Sequence, residues 1–438
     1  MKIYPVTLGC PKNRTDTEKL LAVLAERGWE IVLDPTQADI LFVNTCAFIQ
    51  EAVEESLDVI FELAEEKSPR QRLVVAGCLV SRYREELLRE LPEVDLFLGI
   101  EPYREPEKLL ATERSLWLNL KGEEVTRRIL TASPFYAYLK VTEGCSRACS
   151  FCTIPRIRGP LRSIPEDLLI AEARELVAQG VEEIILVGQD VSAYGLEQGS
   201  RRLVPLLERF LKEVPVSWLR LLYLHPEGVT PELIALAAEE KRLLSYFDLP
   251  IQHVSSRILK AMRRPYEPSK LLELVERIRA QIPHAALRTS VMVGFPGETE
   301  KEFEELLSFL KEAAFDHLGA FIYSPEEGTL AAKLPGQLPA REKEARFHEV
   351  MRLQQEISAA RLKERKGQKV EVLVEGLDEE GRLVGHAAFQ APEIDGLTII
   401  KGEAIIGDIV EVEIEETDVY DVYARPSSAC QAAQRACP

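Results

Sequence analysis

Short apolar runs alternate with helical patterns along the first hundred residues of the chain. Three runs have the length and composition of buried strands, at residues 3–8, 40–44 and 73–76. Three stretches with helical spacing lie between and after them, at residues 15–27, 47–67 and 81–91. This alternation predicts a parallel sheet with crossover helices.

A second alternation begins near residue 135. Six predicted strands occupy residues 136–141, 183–187, 218–222, 246–249, 287–293 and 317–323, and helical segments such as 165–179, 269–281 and 301–313 fall between several of them. Six successive βα units predict a complete or partial (β/α) barrel. The preceding residues 113–134 have the pattern of a connector that holds one hairpin.

A third pattern follows a long helix, predicted over residues 341–366 because that stretch contains no Gly or Pro. Alternating strands at 370–375, 382–387 and 409–415, separated by Gly and Asp turns, predict a small all-β barrel. The sequence is therefore that of an α/β protein with domains at 1–112, 131–366 and 367–427, and we expect the small, polar tail at 428–438 to be disordered.

Composition narrows the function classes. No apolar run among the 438 residues approaches the roughly 20 needed to span a bilayer, and the first residues run directly into a strand rather than a secretory signal. We therefore expect a cytoplasmic protein, where clustered cysteines bind metals or catalyse more often than they form disulfides. Eight cysteines are present.

The net charge of −18 is unevenly distributed. Residues 368–426 hold fifteen acidic and four basic residues, a net charge of −11. An acidic module of this kind repels a phosphate backbone and attracts a basic protein surface, although a merely solvated face gives the same charge.

Three cysteines lie on one short loop after the first strand of the second domain. Cys145, Cys149 and Cys152 have the spacing C-x3-C-x2-C, and three thiolates can ligate three irons of a cubane cluster and leave the fourth iron open. A zinc loop or incidental cysteines are the alternative. The spacing, its position and the neighbouring Phe151 resemble the radical S-adenosylmethionine (SAM) superfamily, whose open iron holds SAM.

Two further segments extend this resemblance. In the superfamily a Gly-Gly-Glu-like segment after the second strand meets the SAM amino group, and here Gln189 and Asp190 follow Gly188 at that place. Gly294 and Gly297 follow the fifth strand, where backbone can approach the adenine or methionine part of SAM. A tight turn that needs glycine explains Gly294 and Gly297 equally well.

Three more cysteines, Cys10, Cys46 and Cys78, each fall just beyond the end of a predicted strand of the first domain. Because the carboxyl ends of parallel strands share one edge, the three loops can converge, and each leads into a helix whose N-terminal dipole favours an anionic thiolate. The arrangement predicts a second three-thiolate cluster, with buried structural cysteine as the alternative. Cys430 and Cys437 lie in the tail and are not counted as ligands.

Taken together, two three-cysteine sites around such a barrel, followed by a small β-barrel, resemble the methylthiotransferase family of radical SAM enzymes over nearly the whole chain. Four segments resemble its RimO type, which modifies an aspartate of ribosomal protein S-twelve: residues 9–13 (GCPKN), 44–49 (NTCAFI), 189–195 (QDVSAYG) and 323–329 (YSPEEGT). The resemblance implies a TRAM-like C-terminal barrel that holds substrate. It also implies two [4Fe-4S] clusters, on Cys10, Cys46 and Cys78 and on Cys145, Cys149 and Cys152.

The implied reaction adds a methylthio group to the β-carbon of the aspartate, with SAM as cofactor, an external electron donor and a monomeric enzyme. Arg156, Arg158 and Arg162 after the cysteine loop either pair with carboxylates of SAM or substrate or form a solvated basic patch. Two other functions compete: a tRNA adenosine methylthiotransferase of the MiaB or MtaB type, and a non-catalytic iron–sulfur scaffold. The first should carry a basic C-terminal barrel, and the second should never cleave SAM.

Overall fold

The structure is a computed structural model that describes residues 1–264 and 266–427. The tail at 428–438, with Cys430 and Cys437 and the disorder predicted for it, lies outside the described residues. The described part of the chain holds no helix with the length and apolar character needed to cross a membrane.

The N-terminal unit is a six-stranded, wholly parallel sheet, as its alternation predicts. Its strands are β1 (Lys2–Thr7), β2 (Glu30–Ile31), β3 (Ile40–Thr45), β4 (Arg72–Gly77), β5 (Leu96–Leu98) and β6 (Ser115–Trp117), and its helices are α1 (Pro11–Glu26), α2 (Gln50–Glu66), α3 (Cys78–Tyr83) and α4 (Leu87–Glu90). The side chains of β3 alternate, so that Phe42 packs with α1 and Val43 packs with α2. Both faces of the sheet are therefore covered.

The strand order β2-β1-β3-β4-β5-β6 reverses direction at β1. The chain leaves β1 for β2 on one side and then returns to β3 on the other. Loops after β1 and β3 consequently separate and leave a crevice at the carboxyl edge of the sheet, which is where open α/β sheets bind ligands.

Two details of this unit differ from the sequence prediction. The helix predicted over 81–91 is broken into α3 and α4, because Arg84 has a left-handed φ of +51° that a right-handed helix cannot include. The hairpin predicted within 113–134 is wrong: β6 pairs in parallel with β5 and extends the sheet. Beyond β6 the connector is held by Arg128, whose buried guanidinium pairs with Glu18 and Glu172.

The central unit is an open (β/α) barrel of two three-stranded parallel sheets, ordered β11-β10-β7 and β12-β13-β14 and joined by a bridge between Leu219 and Leu243. Its strands are β7 (Tyr136–Lys140), β8 (Thr142–Glu143), β9 (Arg162–Ser163), β10 (Glu183–Val187), β11 (Trp218–Leu221), β12 (Tyr246–Gln252), β13 (Ala286–Val293) and β14 (His317–Ile322). Its helices are α5 (Ile154–Ile157), α6 (Glu166–Ala178), α7 (Leu203–Glu213), α8 (Pro231–Glu239), α9 (Ser256–Ala261), α10 (Pro268–Gln281), α11 (Glu300–Ala313) and α12 (Ala340–Lys363). The predicted partial barrel is confirmed.

The C-terminal unit is a closed five-stranded barrel, also as predicted. It consists of β15 (Lys369–Leu377), β16 (Leu383–Ala387), β17 (Thr398–Ile400), β18 (Ile409–Thr417) and β19 (Val422–Pro426). This small barrel packs onto the face of the central sheets that carries no helices. Tyr136, Trp218 and Tyr246, at the amino ends of their strands, share one hydrophobic cluster with Phe389 and Ala391.

Glu393 ties the three units together at one point. Its carboxylate accepts hydrogen bonds from the hydroxyls of Tyr136 and Tyr138 on β7, at 3.0 and 3.2 Å, and from Arg14 of α1 at 2.6 Å. Its backbone has a φ of +67°, a conformation that non-glycine residues adopt only when their surroundings hold it. The small barrel is therefore fixed to both other units.

A buried histidine strengthens this attachment. The ring of His386 on β16 lies between Glu183 of the central barrel and Glu375 of β15. Burial lowers the pKa of His386, but the two carboxylates outweigh burial and hold it above its ordinary value of 6.5. The protonated ring is thus paired on both sides.

We predict that stability depends on pH through His386. Its contribution is fully present below pH 6.5 and is lost as the pH rises through the raised pKa of the folded state. His386→Gln should lower the free energy of unfolding by about 3–5 kcal/mol at pH 6 and flatten the pH dependence. Urea titrations at several pH values measure both effects. His348→Gln, at an exposed position on α12, is the control, and equal pH profiles for His386→Gln and wild type would contradict the prediction.

Candidate active site between two cysteine clusters

The loop that carries Cys145, Cys149 and Cys152 is rigidly anchored. Gly144 has a φ of +72° and packs so closely that a Cβ would lie 2.2 Å from the carbonyl oxygen of Pro160. The loop amide of Cys145 donates to Gly159 O at 3.1 Å, and that of Ser150 donates to Met262 O at 3.0 Å. All three thiols are free and partly exposed, so they can accept a bulky inorganic group.

One arginine lies beside these thiols. Arg264 reaches to 4.0 Å from Cys149 Sγ, and its buried Nε has no partner among the described residues. Burial raises the pKa of Cys152 to about 12, so the thiol is protonated until a metal displaces the proton. Three thiols on one loop beside an incompletely satisfied guanidinium fit an iron–sulfur cluster with a small anionic ligand.

The second set of thiols lies at the crevice of the N-terminal sheet. Cys10 follows β1 and caps α1, Cys46 follows β3, and Cys78 opens α3 after β4. The loops are in direct contact, because a Cβ on Gly9 would lie 2.9 Å from Cys46 Sγ. A Cβ on Gly77 would lie 2.3 Å from Asn44 Oδ1, so both glycines are required for the loops to converge.

The electrostatics of these three cysteines differ. Burial raises the pKa of Cys78 to about 12. Burial also acts to raise the pKa of Cys10, but Lys12 and Arg158 outweigh it and hold that pKa below its ordinary value. Cys10 is therefore the thiol of this site that loses its proton most readily, and the donor set fits a second cluster.

Asn13 holds the crevice loops in place. Its side-chain amide donates to Leu8 O and Thr45 O, both at 2.9 Å, and its Oδ1 lies 3.9 Å from Cys78 Sγ. Asn13 therefore touches the loops of all three cysteines of the first site.

A buried arginine connects the two sites. Arg158 donates to Asn13 Oδ1 on one side and to both carboxylate oxygens of Glu143 at 2.9 Å on the other. Glu143 is separated from Cys145 only by Gly144. Of the predicted alternatives for Arg158, the solvated patch is wrong, since the side chain is buried and paired with Glu143 within the protein, and pairing with a carboxylate of SAM or substrate stays a prediction.

The other two arginines singled out from the sequence lie elsewhere. Arg156 is exposed, and in the part of the chain that the structure describes it donates only to the carbonyl oxygen of Glu327, at 3.3 Å. Arg162 pairs with Glu101 at 2.8 Å. Neither is aimed at the cysteines.

Beside Arg158 three buried carboxylates converge. Oxygens of Asp16, Glu101 and Glu143 lie close enough together to hold a metal ion. The ammonium of Lys140 fills that place, at 2.5, 3.0 and 2.9 Å from them respectively. The cluster is therefore an internal ion-pair network that joins the N-terminal and central units.

The predicted SAM contacts lie at the carboxyl ends of the barrel strands. Gln189 donates to Glu143 at 3.0 Å, and its buried Oε1 has no partner among the described residues. Asp190 accepts from Arg147 of the cysteine loop at 2.8 Å. Gly294 has a packing reason to be glycine, since a Cβ would lie 2.3 Å from Lys343 Cγ, whereas Gly297 is less crowded and its amide donates to Gly336 O.

Sequence reasoning missed four charged residues of the site: Lys12, Lys140, Arg147 and Arg264. Lys12 lies within a recognised motif, which is a signal that could have found it. Arg264 is distant in sequence from every cysteine, and nothing in its local pattern marks it.

Comparison with known families supports this architecture. Residues 2–99 match the family described as Uncharacterized protein family UPF0004, residues 139–310 match the Radical SAM superfamily, and residues 367–426 match the TRAM domain. Among solved structures, the radical SAM methyltransferase TsrM from Kitasatospora setae, with cobalamin and a [4Fe-4S] cluster bound, has a TM-score of 0.53 at 14% identity, covering 75% of this chain and 73% of TsrM. The cobalamin-dependent radical enzyme OxsB has a TM-score of 0.51 at 13% identity, covering 80% and 56% respectively. These two likenesses concern the fold alone.

Full-length relatives are far more similar. The ribosomal protein uS12 methylthiotransferase RimO of Anaeromyxobacter sp. (strain K) is 46% identical, and the alignment covers 100% of this chain and 97% of that protein. The proteins of the same name from Geobacter sulfurreducens and Thermotoga sp. (strain RQ2) are each 44% identical, with 96% and 97% of this chain covered and 97% and 99% of those proteins. The chain belongs to the ribosomal protein uS12 methylthiotransferase family of radical SAM enzymes.

Proposed function

We propose that this protein transfers a methylthio group to the β-carbon of an aspartate in ribosomal protein S-twelve (uS12), using SAM and two [4Fe-4S] clusters. The observation that carries the proposal is the pair of three-thiol sites joined by one buried arginine. Arg158 contacts the crevice loops through Asn13 and the barrel loop through Glu143. Two clusters held at these sites would lie next to each other and could act on the same substrate.

Each site has a separate role in the proposal. Cys145, Cys149 and Cys152 hold the cluster that binds SAM, and Arg264 pairs with the SAM carboxylate beside Cys149. Gln189, Asp190, Gly294 and Gly297 are the proposed further SAM contacts. Cys10, Cys46 and Cys78 hold the auxiliary cluster. When bound, the SAM-binding cluster would supply the electron that cleaves SAM, and the auxiliary cluster would supply the sulfur that is transferred.

The protein's own contribution is positioning and exclusion of water. Gly144 and Asn13 fix the two cysteine loops, and the Lys140 network fixes the N-terminal unit against the barrel. Cys46 and Cys78 are buried, which keeps bulk solvent from the transferred sulfur.

The partner and domain limits belong to the same proposal. The net charge of −11 in the C-terminal barrel suits a basic ribosomal protein better than RNA, which disfavours the tRNA-modifying alternative. We propose domains at 1–112, 131–366 and 367–427, a monomer in the cytoplasm, and a separate electron donor.

A competition experiment tests the function. Anaerobically reconstituted protein receives SAM, reductant and sulfide, with uS12 and tRNA offered together, and both are analysed by mass spectrometry. The expected result is a methylthio group on an aspartate of uS12 and none on the tRNA. Methylthiolated tRNA would overturn the assignment of the substrate, and SAM that stays intact would favour the non-catalytic scaffold.

A further inference from the structure

Lys12 extends from the N-terminal unit into the mouth of the central barrel. It lies two residues after Cys10, at the start of α1, and is buried. Its ammonium donates to Gly188 O, beyond β10, at 3.2 Å and lies 4.3 Å above the ring of Tyr223, beyond β11. Lys12 therefore lies where the crevice of the sheet and the carboxyl ends of the barrel strands meet.

Among the described residues, Lys12 differs from the other buried cations in having no carboxylate partner. Within residues 1–264 and 266–427, every other buried lysine or arginine forms an ion pair with Asp or Glu: Lys19, Arg128, Lys140, Arg158, Arg220, Arg346 and Arg365. A carbonyl and an aromatic face stabilise an ammonium less than a carboxylate does. The anion that faces this ammonium within the chain is the thiolate of Cys10, and no carboxylate of the described residues lies within salt-bridge distance, so a bound carboxylate would complete its pairing.

The backbone of the residue beneath Lys12 is held in a fixed conformation. Tyr223, the ring beneath it, has a left-handed φ of +58°, and its amide donates to Asp248 Oδ2 at 2.9 Å. The other oxygen of Asp248 is buried, accepts no hydrogen bond from the described residues and lies 3.9 Å from Arg288 Nε. An ammonium without a carboxylate partner and a carboxylate oxygen without a hydrogen-bond donor match the carboxylate and a backbone N–H of a bound peptide segment.

We propose that Lys12 pairs with the side-chain carboxylate of the target aspartate and so selects aspartate over asparagine. This inference rests on the proposed function. The carboxylate of SAM is the other source of the same chemistry. We commit to the substrate, because Lys12 extends from the N-terminal unit two residues after Cys10, whereas Arg264 lies beside Cys149 of the loop proposed to hold the SAM-binding cluster.

Peptide binding tests the inference without relying on turnover. Two fluorescent peptides that span the target loop of uS12, one with the native aspartate and one with asparagine, are titrated by anisotropy against reconstituted protein with SAM. Wild type should bind the aspartate peptide about 10-fold or more tightly than the asparagine peptide, the range for hydrogen bonds to charged groups. Lys12→Met should bind both peptides with the weaker affinity, and Lys12→Arg should keep the preference.

The control is Lys108→Met, which removes another ammonium that lies over a ring, that of Trp117 at 3.6 Å, far from the mouth. It should keep the wild-type preference. Because Met relieves the burial of an unpaired charge, Lys12→Met should fold, and thermal melting and iron content verify this.

Three results would overturn the inference: Lys12→Met that keeps the preference, weaker SAM binding with peptide discrimination intact, or loss of auxiliary iron with discrimination intact. Failure of the proposed function is distinguishable, since wild type would then neither bind nor modify the aspartate peptide.

Discussion

Cys149→Ala is expected to abolish SAM cleavage. Cys46→Ala should still cleave SAM, which yields 5′-deoxyadenosine, but should not form the methylthio product. The reason is spatial, because Cys149 belongs to the barrel loop and Cys46 to the crevice of the N-terminal sheet. Each variant should retain the cluster of the other site, about four iron atoms per chain. Anaerobic turnover with product analysis by mass spectrometry, together with iron determination, measures both effects.

The comparison is informative because both substitutions remove one thiol from a three-thiol set. Cys46→Ala that fails to cleave SAM, as Cys149→Ala does, would show that the division of labour between the two sites is wrong. Cys78→Ala serves as a replicate within the first site and should behave like Cys46→Ala.

Arg158→Met should destabilise the protein by about 3–5 kcal/mol and impair loading of the cluster on Cys10, Cys46 and Cys78. The substitution leaves the buried carboxylate of Glu143 without its guanidinium and removes the positive charge that favours the ionised thiol of Cys10. Urea unfolding of the metal-free protein gives the first quantity, and iron content after reconstitution gives the second.

The same loop provides a matched control. Arg156 lies two residues earlier and is exposed, and its one hydrogen bond within the described residues goes to a backbone carbonyl, so Arg156→Gln should change stability by less than about 0.5 kcal/mol. Equal stability and iron content in the Arg158 and Arg156 variants would contradict a structural link between the two cysteine sites.

The fold was predictable where one periodicity dominates. The parallel N-terminal sheet, the open barrel and the small closed barrel all follow from apolar runs at regular intervals, because burial enforces those patterns. The break at Arg84 was not predictable, since its left-handed backbone depends on tertiary contacts and not on the helical pattern around it. The strand β6 was mistaken for a hairpin because a three-residue edge strand has no clear period.

The candidate site was likewise predictable from the sequence only in part. Cysteine spacing and the predicted strand ends placed both sets of three thiols, because the carboxyl ends of parallel strands share one edge of a sheet. The roles of Lys12 and Arg158 depend on what lies around them in space. Arg158 pairs with Glu143, whereas Lys12 has no carboxylate partner among the described residues. That Lys12 lacks a carboxylate partner among the described residues is evident only from the three-dimensional structure.

The attachment of the small barrel has a consequence for biosynthesis. A ribosome delivers the chain from its N-terminus at about 5–20 residues per second, so residues 367–426 of the small barrel emerge over roughly 3–12 s. During that interval Tyr136, Trp218 and Tyr246 lack the covering that Phe389 and Ala391 provide. Until the small barrel folds, the nascent central barrel therefore exposes apolar surface that chaperones can bind.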